Sequence, residues 1–177
     1  MEKIDISNLE LNPFESILKE NFLITASKDG KWNTMTAGWG GMGGMWGKPS
    51  FFAFVRESRF TLDFINASDS FSVSFFPPEK KSILSYCGSH SGRDCNKEKE
   101  AGLTPLEIDG TIGFEEANLT FVLKKKSCHL IDEKGILSDE TKKRWYPDGD
   151  WHYMFVGEIQ SVYVPDTDIT VVDGEIL

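Results

Sequence analysis

The sequence is poor in the residues that would make a disulfide scaffold, a membrane segment or a hydrolytic site. It has three cysteines, Cys87, Cys95 and Cys128, and no Cys-x-x-Cys pair. An odd, sparse count fits reduced thiols in a cytosol rather than a disulfide framework. Cys87, His90, Cys95 and the Cys128-His129 pair could converge on a metal, but their spacing matches no common zinc pattern. We therefore expect no metal and read the thiols as buried or incidental. Nowhere do ~18 apolar residues run together, which argues against a hydrophobic membrane helix. Residues 1–5 hold no apolar signal core. The expectation is a soluble, cytoplasmic protein, in which the sequons at Asn66 and Asn118 have no role.

Basic charge is scarce as well. Nineteen lysines and arginines face 28 aspartates and glutamates, for a net charge of −9. That field repels nucleic acid and anionic membranes unless a local basic patch overrides it. The longest basic run, Lys124-Lys125-Lys126, lies in a segment that reads as a strand, so neither partner is expected. Also missing is any nucleophile–base–acid constellation. Its absence is compatible with an enzyme whose cofactor carries the chemistry.

What the chain does have is core. At 177 residues, with 40% hydrophobic and 12% aromatic, it suffices for one domain over residues 1–177 and is short for two. Glycine and proline punctuate segments that mostly carry strand signals. Residues 22–26 and 32–36, separated by Asp29-Gly30, predict a hairpin. A glycine-rich stretch at 38–47 reads as a loop, and residues 51–55 as a buried strand. Residues 59–67 predict a helix with Ser58 or Thr61 as N-cap. Residues 71–75 alternate apolar and polar and predict a half-buried strand. Short helices are expected at 79–86 and 96–101, and long strands at 117–132 and 151–164, with Gly157 as a bulge. Between the long strands lies a polar excursion, 138–150, containing Trp145 and Tyr146. Six or seven strands with two or three short helices favour a mainly β barrel over a βαβ sheet.

Gly38, Gly40 and Gly43 spell a literal G-x-G-x-x-G. A dinucleotide site needs a helix directly after it, whereas here Pro49 and an aromatic strand follow. The glycines, with Trp39, Met42, Met45 and Trp46, either pack against the barrel end or wall a planar ring system. Arg56-Glu57-Ser58-Arg59-Phe60-Thr61 is more specific. Two arginines and two hydroxyls at a helix start suit a phosphate, although a capped helix with surface arginines explains them equally. Ser89-His90-Ser91-Gly92-Arg93-Asp94, with Lys97 beyond, is a second anion-suited loop, or else a solvated one. His129 reads as a strand-interior residue, and His152, between Trp151 and Tyr153, as a candidate ligand contact.

Asn33-Thr34-Met35-Thr36-Ala37-Gly38-Trp39 with Trp46-Gly47-Lys48-Pro49 resembles the opening block of the flavin reductase-like, FMN-binding split-barrel proteins. The 56–61 segment with Phe71-Ser72-Val73, then Ser91-Gly92-Arg93-Asp94 with Lys97, then His152-Tyr153 with Val156-Gly157-Glu158-Ile159, resemble later blocks in the same order. The resemblance spans about residues 20–164 and is nearest to the flavoredoxin-like branch. It implies a six-stranded split β-barrel with a few flanking helices, a homodimer, and FMN near the dimer interface. It further implies that Asn33, Thr34, Met35, Thr36 and Trp39 line the flavin ring. Arg56, Ser58, Arg59 and Thr61 would hold the phosphate, and Ser89, Ser91, Gly92, Arg93 and Lys97 would close the site. The function so implied is an oxidoreductase moving electrons from NAD(P)H or a protein donor through FMN. A non-catalytic FMN carrier, or a flavin- or haem-binding sensor, are the alternatives.

Overall fold

The computed structural model describes residues 1–166. The chain begins with strand β1 (Glu2–Ile4) and a one-turn helix α1 (Pro13–Glu15), where the Asn12 side chain accepts from the Phe14 N–H. Strands β2 (Phe22–Lys28) and β3 (Lys31–Ala37) then form the expected hairpin. Its turn residues Asp29 and Gly30 have φ of 51° and 72°, the left-handed pair that matches strand twist. A second hairpin joins β4 (Gly40–Met45) to β5 (Lys48–Arg56) through Trp46 and Gly47, again with positive φ at both. The glycine-rich stretch is therefore an edge strand and not a loop. Glycine has no strand propensity of its own, but β5 supplies buried partners in Phe51 and Ala53, and the turn sets the register. No helix follows the G-x-G-x-x-G.

Helix α2 (Thr61–Ala67), strand β6 (Ser70–Phe75) and helices α3 (Lys81–Ser89) and α4 (Lys97–Ala101) come next. A small hairpin, β7 (Pro105–Ile108) and β8 (Thr111–Phe114), precedes β9 (Leu119–Ile131). Helix α5 (Asp139–Trp145) occupies the polar excursion, and β10 (His152–Val164) ends the described fold. The main sheet is antiparallel, in the order β3-β2-β6-β9-β10-β5-β4, with β1 added on β10. The contiguous run β3-β2-β6-β9-β10-β5 supplies six strands of a split β-barrel. A register shift between Val156 and Gly157 marks the expected bulge.

Phe22, Ile24, Phe51, Phe71, Phe121 and Phe155 fill the interior, with Phe22 and Phe51 edge-to-face at 5.4 Å. A smaller cluster of Leu23, Ile83, Leu84, Leu103 and Phe114 covers the other face of β2. That second layer corrects the reading of β6 as half-buried. Ser72 and Ser74 are fully buried, because Ser72 donates to the Ile112 carbonyl and Ser74 pairs with the Thr120 hydroxyl at 2.9 Å. Hydroxyls satisfied in this way pass for a solvent face in the sequence. The acidic C-terminal segment, Asp166–Leu177, reads in the sequence as either a dimer-contact strand or a loose end, and beyond Asp166 it lies outside the described residues.

Candidate functional site

Two cavities adjoin along β3. The first, of about 190 Å³, lies among Asn33 and Met35 of β3, Arg59 and Thr61 at the β5–α2 junction, and Ser91, Gly92 and Arg93 between α3 and α4. The second, of about 210 Å³, is walled by Trp39, Phe54, Trp145 and His152. Met35 and Arg59 line both. Alternation along β3 produces this arrangement: Asn33 and Met35 face the site, and the side chain between them points away.

The first cavity is cationic. The Arg93 guanidinium sits 4.6 Å over the Phe60 ring, donates to the Ser58 carbonyl at 3.3 Å and lies 3.8 Å from the Asp63 carboxylate. Arg59 reaches the Gly88 carbonyl at 3.5 Å. The Asn33 amide donates to Thr61 Oγ1 at 2.8 Å. A Cβ at Gly92 would overlap that amide, so only glycine lets the loop approach so closely. Among the described residues no carboxylate lines this cavity.

The second cavity is aromatic. Trp39 and Trp145 meet edge-to-face at 5.1 Å, and the His152 ring lies 4.7 Å from Trp39. His152 is 7% exposed, and its Nδ1 is 2.8 Å from the Tyr146 hydroxyl. Burial lowers its pKa to about 4, helped by Arg56 and Arg59 and opposed by Asp150. The imidazole is thus neutral at pH 7.

The sequence of residues 15–173 matches the flavin reductase like domain. This chain belongs to the flavin reductase-like family. Its fold is shared with an FMN-binding domain of a flavin reductase-like enzyme from Shewanella baltica. The TM-score is 0.66 at 16% identity, over 92% of this chain and 76% of that one. Flavoredoxin from Methanosarcina acetivorans superposes with a TM-score of 0.67 at 22% identity, over 100% and 82%. For flavoredoxin of Desulfovibrio vulgaris the values are 0.64 and 24%, over 82% and 69%. At these identities the likeness is one of fold. None of the curated proteins matches the sequence.

Within this flavin reductase-like chain, the residues marked from the sequence divide into two groups. Asn33, Met35, Arg59, Thr61, Ser91, Gly92 and Arg93 surround the cationic cavity, and Thr36, Trp39, Arg56 and His152 the aromatic one. Some line a cavity or lie beside one with their polar groups committed to the scaffold: Ser58, Ser89 and Lys97 border the first cavity and Arg56 the second. The Thr34 hydroxyl is fully buried against Thr25 at 2.8 Å and the Ile24 carbonyl. Ser89 lines the first cavity, yet its hydroxyl donates to the Ser85 carbonyl at 2.8 Å. The Lys97 ammonium donates to the carbonyls of Thr34 at 2.7 Å and Cys87 at 3.0 Å, and burial lowers its pKa. Arg56 donates to the carbonyls of Asp150 at 2.9 Å and Trp145 at 3.0 Å, while Ser58 bonds the Asp150 carboxylate through both its N–H and its hydroxyl.

One expectation fails here. Neither Ser58 nor Thr61 caps α2, which follows Phe60 without a side-chain cap. The N–H groups of Arg59, Leu62 and Asp63 are bonded to carbonyls three residues back, so they are not free for an anion. His129 lies inside β9, as read from the sequence; its side chain is exposed, bonded to Ser127 among the described residues, and outside both cavities. The sequence reading gave no role to Trp145, Tyr146 and Asp150. Their signal was two aromatic residues in an otherwise polar excursion, a costly place to leave them without a partner.

Proposed function

We propose that this chain is an FMN-dependent oxidoreductase, passing electrons from NAD(P)H or a protein donor through bound FMN to an acceptor. The observation that carries this reading is the joining of a cationic cavity to an aromatic one through Met35 and Arg59. FMN is a phosphate linked by a flexible polyol to a planar ring, and it needs those two environments side by side. Together the cavities reach the size of a small-molecule site, ~300–1,000 Å³. The donor set fits: Arg59 and Arg93 with the hydroxyls of Ser91 and Thr61 suit the phosphate, and Trp39 with Trp145 suits the ring.

Bound FMN supplies reversible two-electron chemistry, and the protein binds, orients and shields it. With FMN bound, Arg59 would compensate phosphate charge, Asn33 and Met35 would contact the ligand, and Trp39 would give the ring an apolar setting. Arg56 and Ser58 act one step removed, by fastening the segment that carries Trp145 and Asp150. Lys97 acts similarly, by fastening the α3–α4 loop to β3. The chain is read as one domain acting as a homodimer, which would cover exposed apolar side chains such as Phe14, Leu18, Trp46 and Leu137.

The test is an absorption titration of purified protein with FMN and with riboflavin, which lacks the phosphate. Arg59→Ala is expected to weaken FMN about 10–100-fold, the worth of a hydrogen bond to a charged group, and to change riboflavin binding far less. Anaerobic NADH or NADPH should then bleach the bound flavin. Bleaching by a protein donor alone would make the chain an electron carrier. Failure of the wild-type protein to bind FMN at all would sink the reading, and a monomeric mass by light scattering would sink the dimer.

A further inference from the structure

Tyr146 was not marked by the sequence, yet its hydroxyl stands 2.8 Å from His152 Nδ1 with both side chains buried. A phenol and a neutral imidazole can share such a bond in two proton arrangements. The phenol is much the stronger acid of the two, with an ordinary pKa of ~10. Its O–H therefore donates, and the Nδ1 lone pair accepts. The imidazole's own proton is then carried on Nε2, the nitrogen Tyr146 does not use. His152 lines the aromatic cavity.

We propose that Tyr146 is a positioning residue that fixes His152 as the Nε2–H tautomer, a neutral donor to a carbonyl oxygen or ring nitrogen of the conjugated ligand held against Trp39. The identity of that ligand rests on the FMN reading, whereas the tautomer does not. Tyr146 is itself well held. Its ring stacks on Trp151 at 4.8 Å, and Arg56 lies 5.2 Å over it while bonding the carbonyls of Trp145 and Asp150. The hydroxyl thus has a fixed direction. Of the charged groups around His152, Arg56 and Arg59 oppose a second proton and Asp150 favours one, while burial opposes it most. A neutral N–H stabilises charge growing on an acceptor atom without surrendering its proton.

The experiment is a long-range proton–nitrogen correlation spectrum of protein labelled with ¹⁵N-histidine at pH 7, with and without FMN. Wild type is expected to give the Nε2–H pattern for His152 in both states, and Tyr146→Phe a mixture of tautomers. A wild-type Nδ1–H pattern, or a pattern unchanged in Tyr146→Phe, overturns the proposal. Should that variant not fold, the wild-type spectrum still decides, together with a second pair. The amide nitrogen of His152→Gln approximates Nε2, whereas that of His152→Asn approximates Nδ1. The Gln variant is expected to bind FMN about tenfold more tightly than the Asn variant, the worth of one hydrogen bond. Equal affinities overturn the proposal. A fixed tautomer in a protein that never binds FMN would refute the FMN reading alone.

Discussion

Lys97 shows how a charged residue near a ligand site can serve the scaffold instead. It is 6% exposed, and its ammonium bridges the carbonyls of Thr34 on β3 and Cys87 on α3. A buried cation is tolerated when its donors find acceptors, and these two carbonyls take two of the three N–H groups. Lys97→Met keeps the apolar stem and strands both acceptors. It is expected to cost ~1–3 kcal/mol of stability, read from denaturant midpoints. FMN affinity of the folded variant should fall less than in Arg59→Ala. The reverse order, with stability kept and affinity lost, would return Lys97 to the ligand's direct contacts. The same distinction separates Arg59, which lines both cavities and has one long bond to the Gly88 carbonyl, from Arg56, whose guanidinium is engaged by two carbonyls. Sequence marks both arginines alike, because residue type tells what a side chain can do but not which neighbour claims it.

Elements show where the reading of the sequence was sound and where it could not reach. The β2–β3 hairpin, the long strands β9 and β10, the bulge at Gly157 and the capped helix α4 are set by local signals, namely turn residues, period-two patterning and the Asn96 cap. Strand β4 and the burial of β6 are not local. The first exists because β5 offers it a partner, and the second because the β8 region covers its polar face. The site divides in the same way. The cationic half was legible as clustered arginines and hydroxyls. The contribution of Trp145, Tyr146 and Asp150 depends on α5 folding back onto Arg56, which leaves no mark of its own in the chain. Two glycines test this distinction. Gly92→Ala puts a Cβ into the Asn33 amide, which Thr61 holds, and is expected to cost ~1–3 kcal/mol and to weaken FMN. Gly43→Ala, on the open edge strand with nothing near its Cβ, should be neutral or gain up to ~1 kcal/mol. Equal thermal midpoints for the two variants would remove the case for close approach at Gly92.

For the whole molecule, the aromatic half of the site should be visible in how stability varies with pH. His152 binds a proton only near pH 4 in the folded chain, against 6.5 ordinarily. Between those values the unfolded chain holds a proton that the folded chain does not, so protonation favours unfolding. The stability that neutral His152 provides is thus complete above pH 6.5 and is lost as pH falls to about 4. The two pKa values put the total at up to ~3 kcal/mol. The carboxylates held below their usual range act in a lower window. Glu100, bonded by Tyr86, and Asp109, bonded by Ser161 and Lys3, have ordinary values of 4.5 and 3.8, and their stabilisation is lost below those. A fall in stability between pH 6.5 and 4.5 is therefore assigned to His152. Urea midpoints at pH 7 and pH 4.5 should differ markedly in wild type and little in His152→Gln, whatever that variant loses uniformly. An equal fall in both proteins would mean that the proton is taken up elsewhere, and that the ring between Trp39 and Tyr146 is not held neutral by its burial.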